Sequence, residues 1–461
     1  MKIENIGIEQ LPQPPKFRKM IGPSFILLGM GLGSGELIMW PYLAANYGLG
    51  IIWAAVIGIT FQFFINMEIE RYTLVNGESV FVGLARKLKW LSPIWFILST
   101  IIPWMWPGII LSSAIILANS IGFLNSKLLA VGMLLLIGLI LSFGKVVYKT
   151  QEHFQKWLIF LGVPFILLLT FWLAEGSDWK ILADGLTGRG DGFWWIPGGL
   201  SIMTFLGAFA YSGAGGNLNL AQSFYIREKD YGMGKYGGKI TSLLRKKTND
   251  FPLEGKTFVV NQETLIIFKD WWRKINFEHA LVFWLTGAVT IVLLSLLSFA
   301  TVYHQTDGVM GINFLFKEAE VVGNLIYPLI GRIFLLVVAL MLFSTQMSVL
   351  DATSRITSEN LVILNKNKFN PNNLPKFYFG FLWTQILLGV LIVLLGSKEP
   401  WQLVELSAFL NAITMMIYTG VILWLNQTSL AKELRPSWWR KLILIFIVLF
   451  FAGFSILTLV K

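Results

Sequence analysis

Cysteine is absent from the 461 residues, which excludes disulfides, thiolate metal sites and cysteine nucleophiles. Charge is scarce. Asp, Glu, Lys and Arg make up 14% of the chain, against about 25% in soluble domains, so a soluble fold is excluded. Histidine is rare too: His153, His279 and His304 fall at or beyond the ends of the apolar runs, and none has a metal-ligand partner three or four residues on. Metal binding by imidazole is therefore not expected. Clustered histidines or an acid pair at a membrane interface would mark a membrane enzyme; neither is found, so no catalytic residue and no cofactor are expected. No cleavable leader is expected either, because the first 19 residues are polar and carry Pro12, Pro14 and Pro15 before Lys16, Arg18 and Lys19.

What the chain does have is apolar length. Hydrophobic residues make up 55% and the mean hydropathy is +0.66, which predicts an all-α integral membrane protein. Eleven spans of roughly 20 residues, the length a bilayer core needs, are predicted at about 20–45, 49–70, 93–121, 127–144, 156–175, 194–226, 278–303, 323–350, 377–396, 401–426 and 438–460. The eighth runs on through Asp351–Leu364. With the N-terminus inside, about four-fifths of the 37 Lys and Arg fall in inner segments, as the positive-inside rule requires. That asymmetry accounts for the net charge of +11 as orientation in an inner or plasma membrane, so no nucleic-acid partner is expected. The 19 Trp suit interfacial belts. The expected organisation is a cytoplasmic tail, 1–19, then one transmembrane domain, 20–461. Within it lie repeat one at about 20–175, repeat two at about 194–426 and an extra helix at 438–460. Oligomeric state is not legible in the sequence.

Two loops carry weaker signals. The inner loop, about 227–277, contains Arg245-Lys246-Lys247, read as an orientation signal near anionic lipid. Its second half, Leu265 to Lys274, reads as an amphipathic helix lying in the interface. The outer loop 304–322, with His304, Asp307, Lys317, Glu318 and Glu320, reads as a solvated loop or gate.

Glu36 stands inside the first apolar run, directly after Gly29, Gly31, Gly33, Ser34 and Gly35. An ionisable group at membrane depth is costly and marks an ion or substrate path. Glycine costs about 1 kcal/mol per helix-interior position, so the run predicts an interrupted helix. Span six repeats the pattern in Tyr211-Ser212-Gly213-Ala214-Gly215-Gly216-Asn217. Spans one and six open two sets of five in opposite orientation. Matched interruptions of that kind point to an inverted-repeat transporter with a midplane site. The competing reading makes the glycines packing faces, for which Gly29, Gly33 and Gly58 are suited, but it leaves the acid and the asparagine unexplained.

At these residues the chain resembles the Nramp divalent-metal transporters. The likeness lies in Gly22-Pro23-Ser24-Phe25, Gly35-Glu36, Asn46-Tyr47-Gly48, Gln62 and Asn76-Gly77-Glu78-Ser79. It continues through Asn217-Leu218-Asn219-Leu220, Ser344-Thr345-Gln346-Met347-Ser348 and Glu359-Asn360, covering about 20–425. The resemblance implies a LeuT-like 5+5 inverted repeat with helices one and six discontinuous, alternating access, and a divalent cation as substrate. The departures are specific. Where the family has Asp-Pro-Gly-Asn, this chain has Gly33-Ser34-Gly35-Glu36; where the family has Met-Pro-His, it has Ala214-Gly215-Gly216. Span three holds no acid or histidine, whereas proton-coupled members carry a glutamate there, which argues against proton coupling. The pattern is that of a divergent Nramp-related branch.

The substrate-binding candidates are Gly33, Ser34, Glu36, Tyr211, Ala214, Asn217 and Gln346, with Glu36 and Asn217 as metal ligands. An oxygen-only set suits hard cations such as Mg²⁺, Ca²⁺ or Mn²⁺. The same groups suit a small organic solute, an amino acid or amine, on the same fold, and a non-transporting receptor or scaffold is the third reading. Asp351 and Arg355, at i,i+4 spacing, are read as an ion pair or a gate, and Glu405 as a vestibule or snorkelling residue. Glu68 and Glu70, beside Arg71, are expected to pair at the surface.

Overall fold

The computed structural model describes residues 5–20, 22–143, 147–240, 252–303, 310–396 and 399–460; Arg245-Lys246-Lys247, His304 and Asp307 lie outside them. Among the described residues ten helices are long and apolar enough to cross a membrane. They are Pro23–Tyr47, Leu49–Asn76, Leu91–Ile121, Ser126–Phe143, Val147–Leu173, Gln262–Tyr303, Pro328–Leu364, Pro371–Leu395, Pro400–Ser429 and Trp438–Thr458. They correspond in order to predicted spans one to five and seven to eleven. Span six is present in pieces, as its glycines predict: Ile202–Ala210, an irregular stretch, the 3₁₀ segment Gly216–Ala221 and Gln222–Glu228. The two sets of five each open on an interrupted span, and Trp438–Thr458 packs outside them against Pro400–Ser429.

Several boundaries differ from expectation. The helix expected over Leu265 to Lys274 runs without a break into span seven, because Gln262–Tyr303 is one helical run of 42 residues, about twice the length a bilayer core needs. It begins with Asn261 capping the amide of Thr264 and passes through a π-turn at Ala280–Leu285. The outer loop contains the helix Asn313–Leu325, on which Glu318 is buried rather than solvated. Span three is itself interrupted: helix Leu91–Trp104 ends and Gly108–Ile121 begins across Met105-Trp106-Pro107. Pro103 and Pro107 remove two backbone donors there. The N-terminal tail is not free, since Gly7–Ile8 pairs in parallel with Lys256–Thr257 and Trp271 donates to the carbonyl of Pro12.

Candidate functional site

Helix Pro23–Gly31 ends at Leu32, the chain turns through Gly33, and a π-helical segment Ser34–Met39 resumes the span. This places Glu36 in the first resumed turn. Its side chain is fully buried, and neither carboxylate oxygen has a hydrogen-bond partner among the described residues. Glycines from spans one and seven face it. A methyl group on Gly31 would lie 3.1 Å from Glu36 Oε1 and 2.8 Å from Cα of Gly213, and one on Gly287 would lie 3.4 Å from the same oxygen. Spans one, six and seven therefore meet at this carboxylate.

The break in span six abuts the break in span one. A Cβ on Gly35 would sit 1.6 Å from the carbonyl oxygen of Tyr211, so only glycine allows the two unwound segments to touch. Gly215 and Gly216 have φ of +73° and +52°, a region other residues enter at a cost. Gln62, from span two, splices the gap. Its Nε2 donates to the carbonyl of Ala210 at 2.9 Å and its Oε1 accepts from the amide of Gly215 at 3.1 Å. Backbone groups freed by the break are thus satisfied from a neighbouring helix, as apolar surroundings demand.

The other predicted site residues divide into groups. Gly33 packs against Thr345, Ser34 is buried beside Glu36 in sequence, and Ala214 is buried in the break. Tyr211 has other partners: its hydroxyl bonds Ser407 and Asn411, and the ring stacks on Trp104. Asn217 donates to Ser99 and Thr100 of span three at 2.8 Å each, leaving its Oδ1 unpartnered. Gln346 lines a small pocket with Trp104, Trp106, Tyr211 and Ser407. Two sub-regions result, the Glu36 junction and an aromatic–amide pocket at the break in span three. The second went unread in the sequence, although Pro103-Trp104-Met105-Trp106-Pro107 marks it.

Asp351 and Arg355 form the expected i,i+4 pair, at 2.8 Å, and it is buried. Arg355 also contacts Glu228, while Tyr378 and Tyr225 donate to Asp351. The pair ties span eight to span six and has no hydrogen bond to Glu36. Glu405 is half-buried and accepts from Thr204. The surface pairing expected of Glu68 and Glu70 is corrected: both are buried. Glu68 bridges Arg71 at 2.7 Å and Arg440 at 3.4 Å, and Glu70 lies 3.3 Å from His279. His279, expected at a span end, is fully buried within the helical run of span seven. Outside the spans, Glu318 accepts from Ser298 at 2.8 Å, and burial pushes its carboxyl up to about 8.

No protein-family model matches the chain, and no curated protein matches it. Solved structures do. A variant of the manganese transporter of Eremococcus coleocola matches with a TM-score of 0.70 at 13% identity, covering 98% of this chain and 89% of that one. MhsT in complex with L-phenylalanine matches with a TM-score of 0.56 at 15% identity, covering 98% and 99%. These likenesses show the fold: an all-α membrane protein with the LeuT-like inverted repeat and discontinuous helices one and six.

Proposed function

We propose that this chain is an Nramp-related secondary carrier that moves a small cation by alternating access, with Glu36 as its charged ligand and a hard divalent metal as its cargo. The observation that carries the reading is the pair of unpartnered Glu36 oxygens, buried where the two helix breaks meet. An ionised carboxylate without donors is strongly unfavourable in an apolar interior, so Glu36 either takes a proton or meets an incoming cation; in this reading it holds the cation when the carrier is loaded. One carboxylate with backbone carbonyls is an oxygen set, which suits Mg²⁺ or Mn²⁺ over softer metals. Mg²⁺ keeps several of its waters when bound, which offsets the single protein charge. Asn217 faces span three and takes the part of a neighbouring polar wall in this reading. The membrane is the inner or plasma membrane, with the N-terminus inside.

A second reading has one observation behind it. The pocket of Trp104, Trp106, Tyr211, Gln346 and Ser407 offers ring faces and an amide, the chemistry an organic amine or amino acid would use, but its free volume is about 10 Å³, room for one water, so such a substrate requires it to open.

The test is uptake into proteoliposomes of Mg²⁺, Mn²⁺ and Ca²⁺ by wild type and Glu36→Gln, with internal pH recorded. Cation entry lost in Glu36→Gln at unchanged yield and monodispersity supports the metal reading. No entry of any of the three overturns it and directs the assay to amines and amino acids.

A further inference from the structure

On the N-terminal side of the bundle, a second buried cluster joins spans one, two and seven. Glu278 sits at the N-terminal end of helix Pro23–Gly31, where its Oε1 accepts from the amide of Gly22 at 3.2 Å and its Oε2 accepts from the hydroxyl of Ser24. Ser24 Oγ also lies 2.8 Å from Nδ1 of His279, which in turn is 3.3 Å from Oε1 of Glu70. Gln222 of span six donates to that same Glu70 oxygen at 2.9 Å. All four side chains, Ser24, Glu70, Glu278 and His279, are at most 1% exposed. Glu70 Oε2 and His279 Nε2 have no hydrogen-bond partner among the described residues.

With Glu278 ionised, the contacts assign the tautomer. Ser24 has one proton and gives it to Glu278, so the contact with His279 needs a proton on Nδ1, leaving Nε2 as a bare acceptor. A proton arriving at Nε2 displaces the Nδ1 proton onto Ser24, and the Ser24 proton passes to Glu278 Oε2. The imidazole ends as the Nε2–H tautomer, the hydroxyl is restored, and Glu278 becomes a neutral acid. We propose that Ser24, His279, Glu70 and Glu278 form a proton-binding site that clamps the first half of span one when Glu278 is ionised and releases it when Glu278 is protonated.

The physical basis is local. Hydrogen bonds to a charged acceptor are roughly twice as strong as neutral ones, and a carboxylate at a helix N-terminus gains from the helix dipole. Both gains vanish on protonation. Helix Pro23–Gly31 is joined to the rest of span one only through the turn at Leu32 and Gly33, so it is a separate lever, held at its far end by Glu278 and near the turn by Thr345, which donates to the carbonyl of Gly29 at 2.9 Å. The charges facing the cluster come from every neighbouring helix. Glu70 stands on span two and Glu278 with His279 on span seven; Glu152, Lys156 and Tyr148 stand on span five, and Glu228, Lys229 and Tyr231 at the end of span six. Lys229 bridges Glu152 at 2.7 Å, and a methyl on Gly22 would touch both. The cluster shares no residue with the Glu36 junction, but the half-helix it holds ends at Gly31 beside Glu36.

The chain's lack of cysteine makes a distance measurement direct. Spin labels at Lys19→Cys and Lys149→Cys, both exposed positions, report the separation of spans one and five in lipid nanodiscs by pulsed electron resonance. From pH 8.5 to pH 5.5 the ratio of a longer-distance population to the original one is expected to rise about tenfold. In Glu278→Gln the acid distribution is expected at both pH values. Glu70→Gln, which removes a neighbouring negative charge, is expected to move the midpoint to lower pH, and His153→Gln, an exposed histidine, to leave it in place. A pH-independent distribution in wild type overturns the proposal. So does a wild-type pH response in Glu278→Gln, or, where that variant fails to fold, an unmoved midpoint in Glu70→Gln.

Discussion

Gly35→Ala tests whether the two helix breaks are in contact. The added Cβ would lie 1.6 Å from the carbonyl oxygen of Tyr211 and 2.5 Å from its carbonyl carbon. These are backbone atoms at the end of Ile202–Ala210, in a segment held by Gln62, so no side chain can rotate out of the way. Relief requires the segments to part by roughly 1.5 Å, a rearrangement at or above the upper end of the 1–3 kcal/mol typical of overpacking. At about 3 kcal/mol the folding equilibrium falls on the order of 100-fold. The control is the same chemical change at Gly132, mid-helix in Ser126–Phe143, where a new Cβ meets nothing within 4 Å. There the gain in helix propensity is up to about 1 kcal/mol. Thermal unfolding of the detergent-solubilised protein, followed by size-exclusion chromatography, should show Gly35→Ala several degrees below wild type and Gly132→Ala level or slightly above. Equal melting temperatures for wild type and Gly35→Ala would refute the contact.

Gln62→Leu leaves the Ala210 carbonyl and the Gly215 amide unpaired at about 1–3 kcal/mol each; hydrogen exchange over residues 211–217 should accelerate, and unchanged protection would contradict the splice. Arg355→Met strands Asp351 and Glu228 without a counter-charge, a loss of about 3–5 kcal/mol; adding Asp351→Asn and Glu228→Gln should recover much of it, and a single variant as stable as wild type would show the network to be idle. Glu318, raised by burial to about 8 from 4.5, holds a proton in the folded chain that the unfolded chain releases near pH 4.5. Its contribution is complete below that pH and is lost as pH rises through 8. Melting temperature should therefore decline across this window in wild type and decline less in Glu318→Gln.

The two interrupted spans were legible because an acid follows one glycine cluster and an asparagine the other, which packing faces alone leave unexplained. Gly215 and Gly216 take positive φ, and Gly35 meets a backbone carbonyl, as the clusters foretold. Ten spans among the described residues were legible from apolar length, and the sixth from its glycines. What escaped the sequence depends on long-range pairing. Glu70 and His279 are 209 positions apart, and nothing local in either segment announces that they meet; both looked like residues of span ends because each is polar in an apolar run. Asn217 looked like a partner of Glu36 by symmetry of the two breaks, but the 3₁₀ turn at Gly216–Ala221 aims it at span three. The continuity of Gln262–Tyr303 was not legible because its first half is amphipathic and its second apolar, and a change of composition along a helix does not mark a break.

The central claim is that a cation is held by Glu36, and Mn²⁺ locates it by its anomalous scattering. Crystals of the wild-type protein grown with Mn²⁺ should give an anomalous difference peak within about 2.6 Å of a Glu36 carboxylate oxygen, within the range of hard-cation–oxygen bonds, and Glu36→Gln crystals should lose it. Peaks confined to other positions, or a peak that persists in Glu36→Gln, would contradict the account.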